Sequence, residues 1–364
     1  MDFVPIFDLH ADVFMDLGRR SSGPELVARH LRRIRAGGIG GAALIDCRMA
    51  GESAGPEDFE TFIRTVRLEL EAAGDEVLVV RTVADLDRVF RPVGDQGSSG
   101  APSLSNAPGA SVDAGSGARR PAPFAVVVGY EGLNPALGDI SWIERLYREA
   151  DLRVAALTHN DGNAFGAGAI GAAGAIGAAG AIGAAGAIGA GPTGLTELGR
   201  RAVAKMNELG ILIDMAHAGR QTRRDILAAS SKPVMLSHTS AKAVYDNGRN
   251  LDDGEMRDIA DSGGLLGCMT SPAALAPLED RARHSLERYM AHLAHMLDVA
   301  GTDHVGLGMH FCEYLYTPEQ YPPVRGLEDA SKAQAILDSL RNLGYSEREV
   351  EKIAYGNFRR VFAG

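Results

Sequence analysis

Eight short apolar segments rich in β-branched residues recur along the chain, and helical patterns separate them. The segments are 4–9, 40–46, 124–130, 154–158, 211–215, 233–237, 264–268 and 304–308. Runs that are apolar on both faces are typical of buried parallel strands. Amphipathic patterns such as 56–74 and 194–210 predict helices between them. Eight alternating units predict an α/β fold of the (β/α)8 or TIM-barrel type rather than an open sheet.

Three segments depart from this rhythm. An additional apolar run at 76–81 exceeds the count of eight and is compatible with an extra edge strand. Residues 91–122 are dominated by Gly, Ser, Pro and Ala, which predicts a mobile low-complexity loop. Residues 166–191 repeat GAIGAA with a period of six. That period resembles a left-handed β-helix turn, but four copies make little more than one coil, so an expanded low-complexity loop is favoured.

The strand and helix signals resume with the same rhythm on both sides of these segments. Residues 1–364 are therefore expected to form one metallohydrolase barrel domain. The formal net charge of −10 and the lack of a Lys/Arg-rich run argue against nucleic-acid binding, which needs clustered positive charge. We expect a small-molecule partner instead.

The cysteines and the hydropathy pattern bear on the cellular compartment. Cys47, Cys268 and Cys312 are scattered and odd in number, so they form neither a disulfide framework nor a paired zinc motif. No basic and then apolar leader opens the sequence, and no stretch of about 18 apolar residues could span a bilayer. These observations predict a soluble, cytoplasmic protein without a membrane partner.

Metal-competent side chains stand at the carboxyl ends of several predicted strands, which is the catalytic face of a barrel. His10 and Asp12 are spaced i, i+2, which points both side chains the same way on an extended segment, although such a pair alone is more often a surface feature. Glu131 closes a very apolar strand, so its carboxylate needs a cation or a water-filled cavity. Its alternative is a carboxylate at a helix N-terminus.

Histidines end three further strands. His217 and His238 end successive strands, which is harder to explain by packing than one buried histidine, and His159 follows the fourth strand. Asp214 precedes His217 and is either a hydrogen-bond acceptor behind the ligands or a buried polar core group. Imidazole and carboxylate ligands without a thiolate favour Zn²⁺, with Mn²⁺, Fe²⁺ and Co²⁺ as alternatives.

The motifs cover nearly the whole chain outside the two low-complexity segments and occur in a consistent order. They are DLHAD, RAGGIGG, YEG, LTHNDGN, TGLTELGRRAVAKMNELGILIDMAH, LSHTSAKAVYDNGRN, AGTDHVGLG, GLEDASK and GYSEREVEKIAYGNFRRVF. This pattern resembles the membrane (renal) dipeptidase family of metallopeptidases, family M19. The resemblance implies two divalent metal ions, most readily zinc, and a dipeptide-like substrate, and it leaves a homodimer open.

The resemblance also implies a role for each matching residue. His10 and Asp12 would bind the first metal, Glu131 would bridge the pair, and His217 with His238 would bind the second. His159 would polarise the scissile carbonyl and stabilise its oxyanion. Arg249 would pair with the free carboxylate of the dipeptide, a geometry that suits a guanidinium.

The last strand departs from the family pattern. Where the family has a GSDFDG-like segment, this chain reads GMHFCE, so His310 replaces the aspartate that handles the proton of the metal-bound water. Cys312 and Glu313 replace the second aspartate and the glycine. His310 is therefore a candidate for the proton transfer as well as for metal ligation, and a shift that brings Glu313 into the site stays open.

These residues predict a metal-dependent dipeptidase in which His310 shuttles the proton to the leaving amine. The substitution on the last strand keeps two alternatives open. One is a divergent amide or lactam hydrolase of the same fold. The other is a catalytically degenerate barrel that binds metal or peptide without turnover.

Overall fold

A computed structural model describes residues 4–20, 23–47, 54–90, 122–169 and 193–364. Almost all of 91–122 and of the GAIGAA repeat at 166–191 lies outside the described residues. The predictions of a mobile loop at 91–122 and of an expanded loop at 166–191 therefore also lie outside them. The described strands are β1 Ile6–Ala11, β2 Ile39–Cys47, β3 Val77–Val79, β4 Phe124–Glu131, β5 Leu152–Ala156, β6 Leu212–Asp214, β7 Met235–Thr239, β8 Leu265–Cys268 and β9 Val305–Leu307.

Eight of these strands form a parallel, nearly closed barrel in the order β1-β2-β4-β5-β6-β7-β8-β9. Every one of the eight predicted strand segments therefore became a barrel strand, and the predicted TIM-barrel fold is confirmed. The additional run at 76–81 contains β3, which pairs in parallel with the start of β4 outside the path of the barrel. It is the extra edge strand that the apolar count suggested.

The barrel closes where β1 meets the segment after β9. The backbone N–H of His310 donates to the carbonyl of His10 at 3.2 Å. The buried Asp8 carboxylate accepts a hydrogen bond from the Met309 backbone N–H at 2.9 Å and one from the His10 N–H at 3.2 Å. The Asp8 side chain thus links β1 to the segment after β9, as backbone hydrogen bonds link neighbouring strands elsewhere in the sheet. It connects the backbone of His10 to that of Met309, the residue before His310.

Helices pack around the barrel. They are α1 Val13–Gly18, α2 Arg32–Ala36, α3 Pro56–Ala73, α4 Val83–Leu86, α5 Ser141–Glu149, α6 Glu197–Leu209, α7 Arg220–Ala229, α8 Asp253–Asp261, α9 Pro272–Leu275, α10 Leu286–Ala300, α11 Gln334–Asn342, α12 Glu347–Glu351 and α13 Asn357–Phe362. Local sequence sets their ends: at α6, Thr196 accepts a hydrogen bond from the Gly199 N–H, and Gly210 ends the helix in the left-handed conformation.

The barrel strands are buried on both faces, as their apolar composition requires. Every described residue of β1, β4, β5, β6, β7, β8 and β9 is buried. Polar side chains interrupt this core mainly near the carboxyl ends of the strands. Among the described helices, none combines the length and the apolar character that a membrane crossing requires.

Candidate metal centre

Eight side chains that the sequence singled out meet at the carboxyl-terminal end of the barrel. His10 lies within β1, Glu131 is the last residue of β4, and His238 lies within β7. The others follow the ends of strands: Asp12 after β1, His159 after β5, His217 and Arg249 after β6 and β7, and His310 after β9. Parallel barrel strands bring these ends together, although the residues are far apart in the sequence.

Glu131 lies at the centre of the cluster. Its Oε1 atom is 3.0 Å from Nε2 of His217 and 3.8 Å from Nε2 of His238, and its Oε2 atom is 3.8 Å from Nε2 of His159. Glu131 is only 3% exposed, and Oε1 accepts no hydrogen bond from the residues that the structure describes. A buried carboxylate oxygen without a donor needs a cation.

The first donor pair is His10 with Asp12. Nε2 of His10 lies 3.2 Å from Oδ1 of Asp12, as the i, i+2 spacing predicted. Donor atoms of His10, Asp12 and Glu131 all lie within 4.8 Å of one another, and so do those of Glu131, His217 and His238. Glu131 belongs as well to a third set of potential metal ligands, with Cys47 and His159.

Arg249 brings its guanidinium into the same cluster. Its Nη2 atom lies 3.1 Å from Nε2 of His217 and 3.2 Å from Nε2 of His238, and its Nη1 atom donates to Oδ1 of Asn160 at 3.0 Å. Oδ1 of Asn160 also faces Nδ1 of His217 at 2.7 Å. Because that oxygen can only accept, Nδ1 of His217 carries the proton and Nε2 keeps its lone pair.

Ser237 contacts the other two imidazoles. Its Oγ atom lies 3.2 Å from Nδ1 of His10 and 2.9 Å from Nδ1 of His238. Asp214 lies behind it and accepts a hydrogen bond at Oδ1 from the Ser237 N–H at 2.9 Å. The structure thus places Asp214 as a hydrogen-bond acceptor behind the imidazoles, which was one of its two predicted roles.

The segment after β9 completes the cluster on the side of Asp12. Nε2 of His310 lies 3.4 Å from Oδ2 of Asp12, and Nδ1 of His310 lies 3.3 Å from Sγ of Cys312. The Cys312 thiol donates to Oδ2 of Asp12 at 3.3 Å. Glu313 lies instead beside Arg33, with Oε1 3.1 Å from Nη1, so the structure gives no support to a shift that brings Glu313 into the centre.

Backbone conformations that side chains rarely adopt accompany these positions. His217 and His310 have φ values of 62° and 54°, in the left-handed region. Gly132, which follows Glu131, has a φ of 79°, and a Cβ there would lie 2.9 Å from Cβ of His159. Only glycine fits at this point, so Gly132 allows the His159 backbone to approach the end of β4. Strain of this kind is typical of functional sites.

Burial and neighbouring charges shift the pKa values in opposite directions. Burial alone would lower the pKa of His10, but the carboxylates of Asp12 and Glu131 raise it to about 9. Burial alone would raise the pKa of Asp12, but the imidazoles of His10 and His310 hold it below its usual range. Burial lowers the pKa of the remaining imidazoles, which are His159, His217, His238 and His310. Neutral imidazoles can offer lone pairs to a metal.

The donors present fit divalent metal ions. They combine imidazoles whose Nδ1 atoms are occupied by hydrogen-bonding partners with two buried carboxylates, one of which has an oxygen without a donor. This is the donor chemistry of zinc and similar transition metals.

Other polar side chains lie outside the cluster. His292, on α10, is an example: its ring bonds to the backbone of Ala241 and Leu275. Cys268 is buried core. Sequence reasoning gave no role to Asn160, Ser237 or Cys312. Asn160 and Ser237 each adjoin a predicted histidine, which is the only signal that could have drawn attention to them.

Comparisons relate the chain to known proteins. The family model of membrane dipeptidase, peptidase family M19, matches residues 109–364. An uncharacterized dipeptidase of Schizosaccharomyces pombe is 30% identical over 237 residues, which is 65% of this chain and 52% of that protein. The chain spans about half the length of the curated relatives it matches.

Solved structures share the fold over almost the whole chain. The crystal structure of dipeptidase AC, a metallopeptidase of family M19, has a TM-score of 0.74 at 22% identity and covers 99% of this chain and 98% of that chain. A metallopeptidase from Rhodobacter sphaeroides, liganded with a phosphinate mimic of the dipeptide L-Ala-D-Ala, has a TM-score of 0.72 at 21% identity and covers 99% of each chain. At these identities the likeness concerns the fold.

Proposed function

The chain belongs to the membrane dipeptidase family, peptidase family M19, and from that premise we propose that it hydrolyses the peptide bond of dipeptides at a centre of two divalent metal ions. The observation that carries the proposal is the position of Glu131, a buried carboxylate that lies within reach of both the His10–Asp12 pair and the His217–His238 pair. A dipeptide-like substrate is supported by the ligand of the Rhodobacter sphaeroides relative.

His10, Asp12 and Glu131 would hold one ion, and Glu131, His217 and His238 would hold the other. Zinc fits these donors best. When bound, the ions supply Lewis-acid polarisation of the scissile carbonyl and a water molecule of lowered pKa.

Arg249 orients the substrate. Its guanidinium is buried at the centre, and burial lowers its pKa to about 10, a value that still leaves it charged at neutral pH. Asn160 accepts from Nη1 and so restricts the plane of the guanidinium. A fixed, charged fork of this kind suits the free carboxylate of a dipeptide.

His159 stabilises the developing oxyanion. Its ring stacks on that of His217 with centroids 4.3 Å apart, and it is 7% exposed. Stacking and burial fix the ring before the reaction, so its N–H can donate to negative charge without reorganisation. Burial also keeps the imidazole neutral by lowering its pKa.

His310 carries the proton to the leaving amine. It lies on the Asp12 side of the centre, where its Nε2 atom is 3.4 Å from Oδ2 of Asp12. The backbone N–H of His310 donates to the carbonyl of His10, and the Tyr321 hydroxyl donates to the carbonyl of His310 at 3.0 Å, so its position is fixed from both sides. A positioned imidazole of this kind suits general acid and base chemistry.

The test is metal analysis combined with a dipeptide panel that includes D-residues at the carboxyl terminus. We expect about two equivalents of divalent metal per chain and cleavage of dipeptides that a chelator abolishes. A protein that stays metal-free and inert after supplementation would overturn the proposal. Cleavage of acylated or cyclic amides alone would instead indicate the divergent hydrolase, and metal binding without turnover would indicate the degenerate barrel.

A further inference from the structure

One hydroxyl group lies between two imidazoles that belong to different metal positions. Ser237 is fully buried in β7, and its Oγ atom is 3.2 Å from Nδ1 of His10 and 2.9 Å from Nδ1 of His238. The proposed function assigns His10 to one ion and His238 to the other, and donor atoms of His10, His238 and His310 also lie within 4.8 Å of one another. The two rings are close neighbours, with centroids 4.1 Å apart.

The hydroxyl can serve both imidazoles at once. A serine hydroxyl has one proton to donate and two lone pairs that accept. Two lone pairs suffice to accept from an Nδ1–H group of His10 and from one of His238, both of which lie at hydrogen-bonding distance from Oγ. Each ring then keeps the lone pair on its Nε2 atom.

Asp214 is itself held in place. Its Oδ1 atom accepts from the backbone N–H of Ser237 at 2.9 Å and from that of Ala216 at 2.9 Å. It is buried at the end of β6, next to the strand that carries Ser237. The carboxylate thus fixes the backbone from which the Ser237 side chain extends.

We propose that Ser237, oriented by Asp214, is a positioning residue that holds His10 and His238 together as Nδ1–H tautomers with both Nε2 atoms directed into the metal centre. This inference rests on the ligand assignment of the proposed function. It makes one side chain responsible for a ligand of each ion, so that loss of its hydroxyl weakens both metal positions at once. Groups behind metal-bound histidines typically contribute 10- to 100-fold in metal affinity.

His217 provides an internal reference. Its Nδ1 atom pairs with Oδ1 of Asn160 and not with Ser237. Removal of the Ser237 hydroxyl therefore leaves the His217 tautomer unchanged. Removal of a general packing element would disturb all three imidazoles alike.

The test titrates zinc against a chromogenic chelator with the full-length wild type and Ser237→Ala. Ser240→Ala is the matched control, because Ser240 is equally buried near the end of the same strand and its Oγ has no hydrogen-bond partner among the described residues. We expect both zinc-binding steps to weaken about tenfold or more in Ser237→Ala and to change less than about twofold in Ser240→Ala. Ser237→Thr, which keeps a hydroxyl, is expected to restore most of the affinity.

A second readout follows the tautomers directly. In the zinc-loaded wild type with ¹⁵N-labelled histidine, NMR should detect protected Nδ1–H protons of His10, His217 and His238. Ser237→Ala should lose the protection of His10 and His238 and retain that of His217. Unchanged zinc affinity together with unchanged protection in Ser237→Ala would overturn the inference, and so would equal loss at all three imidazoles.

The failure of this inference can be told from the failure of the proposed function. If the wild type binds no zinc, the proposed function fails. Burial lowers the pKa of His238, so its ring is neutral in the metal-free protein. NMR then still shows which ring nitrogen carries the proton, and a proton on Nε2 would contradict the role of Ser237. Thermal unfolding of each variant excludes loss of the fold as the cause.

Discussion

The Nε2 atoms of His217 and His238 lie only 2.9 Å apart. Nδ1 of His217 faces Oδ1 of Asn160, and Nδ1 of His238 faces Oγ of Ser237. Nη2 of Arg249 lies 3.1 and 3.2 Å from the two Nε2 atoms. These two Nε2 atoms are the ones that the proposed function assigns to one ion.

His238→Ala removes a ligand of one ion only. We expect the zinc content to fall from about two equivalents to about one, because the donors of the other set remain. His295→Ala is the control, since His295 lies on α10 and pairs with Asp253 away from the centre. Elemental analysis of both variants checks this, and an unchanged zinc content in His238→Ala would contradict the ligand assignment.

Arg249→Ala removes the proposed partner of the substrate carboxylate. Truncating one side of a buried charged pair typically costs about 2–5 kcal/mol, so kcat/KM should fall by about 30-fold or more for a free dipeptide. The same variant should show little further loss on the matching dipeptide amide, which lacks that carboxylate.

Arg257→Ala is the matched control for Arg249, because Arg257 is an exposed arginine of α8. It should leave kcat/KM unchanged for both substrates. Equal losses in Arg249→Ala on the dipeptide and on its amide would show that Arg249 acts on the centre and not on the carboxylate.

His310→Ala removes the proposed proton carrier. General acid and base groups contribute about 10² to 10⁴ in rate, so kcat should fall by about 100-fold or more while KM changes little. His310→Asp restores a group that can carry a proton and should exceed His310→Ala in kcat. Steady-state kinetics of the three proteins check this order, and equal kcat in wild type and His310→Ala would exclude the role.

His292 predicts a pH dependence of stability that is independent of the centre. Its Nδ1 atom accepts from the Ala241 N–H and its Nε2 atom faces the Leu275 carbonyl, an arrangement that only the neutral ring satisfies. Burial lowers its pKa to about 4. The folded state then binds fewer protons than the unfolded state between about pH 6.5 and 4, so the free energy of unfolding falls as the pH falls through this window.

Denaturant unfolding of the wild type and His292→Gln between pH 7 and 4 measures this effect. The wild type should lose on the order of 3 kcal/mol relative to the variant across the window. His304→Gln, which removes an imidazole elsewhere on the barrel, should follow the wild type. Parallel curves for the wild type and His292→Gln would show that His292 does not titrate in this way.

The strands and the residues at their ends could be predicted from the sequence because both depend on local patterns. An apolar run followed by a histidine or carboxylate is visible in the chain itself, as in the segments that end at Glu131 and His238. The hydrogen bonds behind the imidazoles could not be predicted. They depend on which strand ends face one another, and Ser237 is 227 positions from His10 in the sequence.

The surroundings of Cys312 and Glu313 could not be predicted for the same reason. The resemblance implied that both replace residues of the family pattern, and only the fold reveals that the Cys312 thiol reaches Asp12 whereas Glu313 lies beside Arg33. Neighbours in sequence after the last strand thus have different surroundings, which residue type alone does not determine.

Stepwise zinc titration of the chelator-treated protein, with dipeptide hydrolysis measured at each step, tests the two-ion centre most directly. We predict that hydrolysis rises with zinc and reaches its maximum at about two equivalents per chain, and that a chelator reverses it. Full hydrolysis by the metal-free protein, or saturation of zinc binding at one equivalent with full activity, would contradict the shared position of Glu131 between two ions.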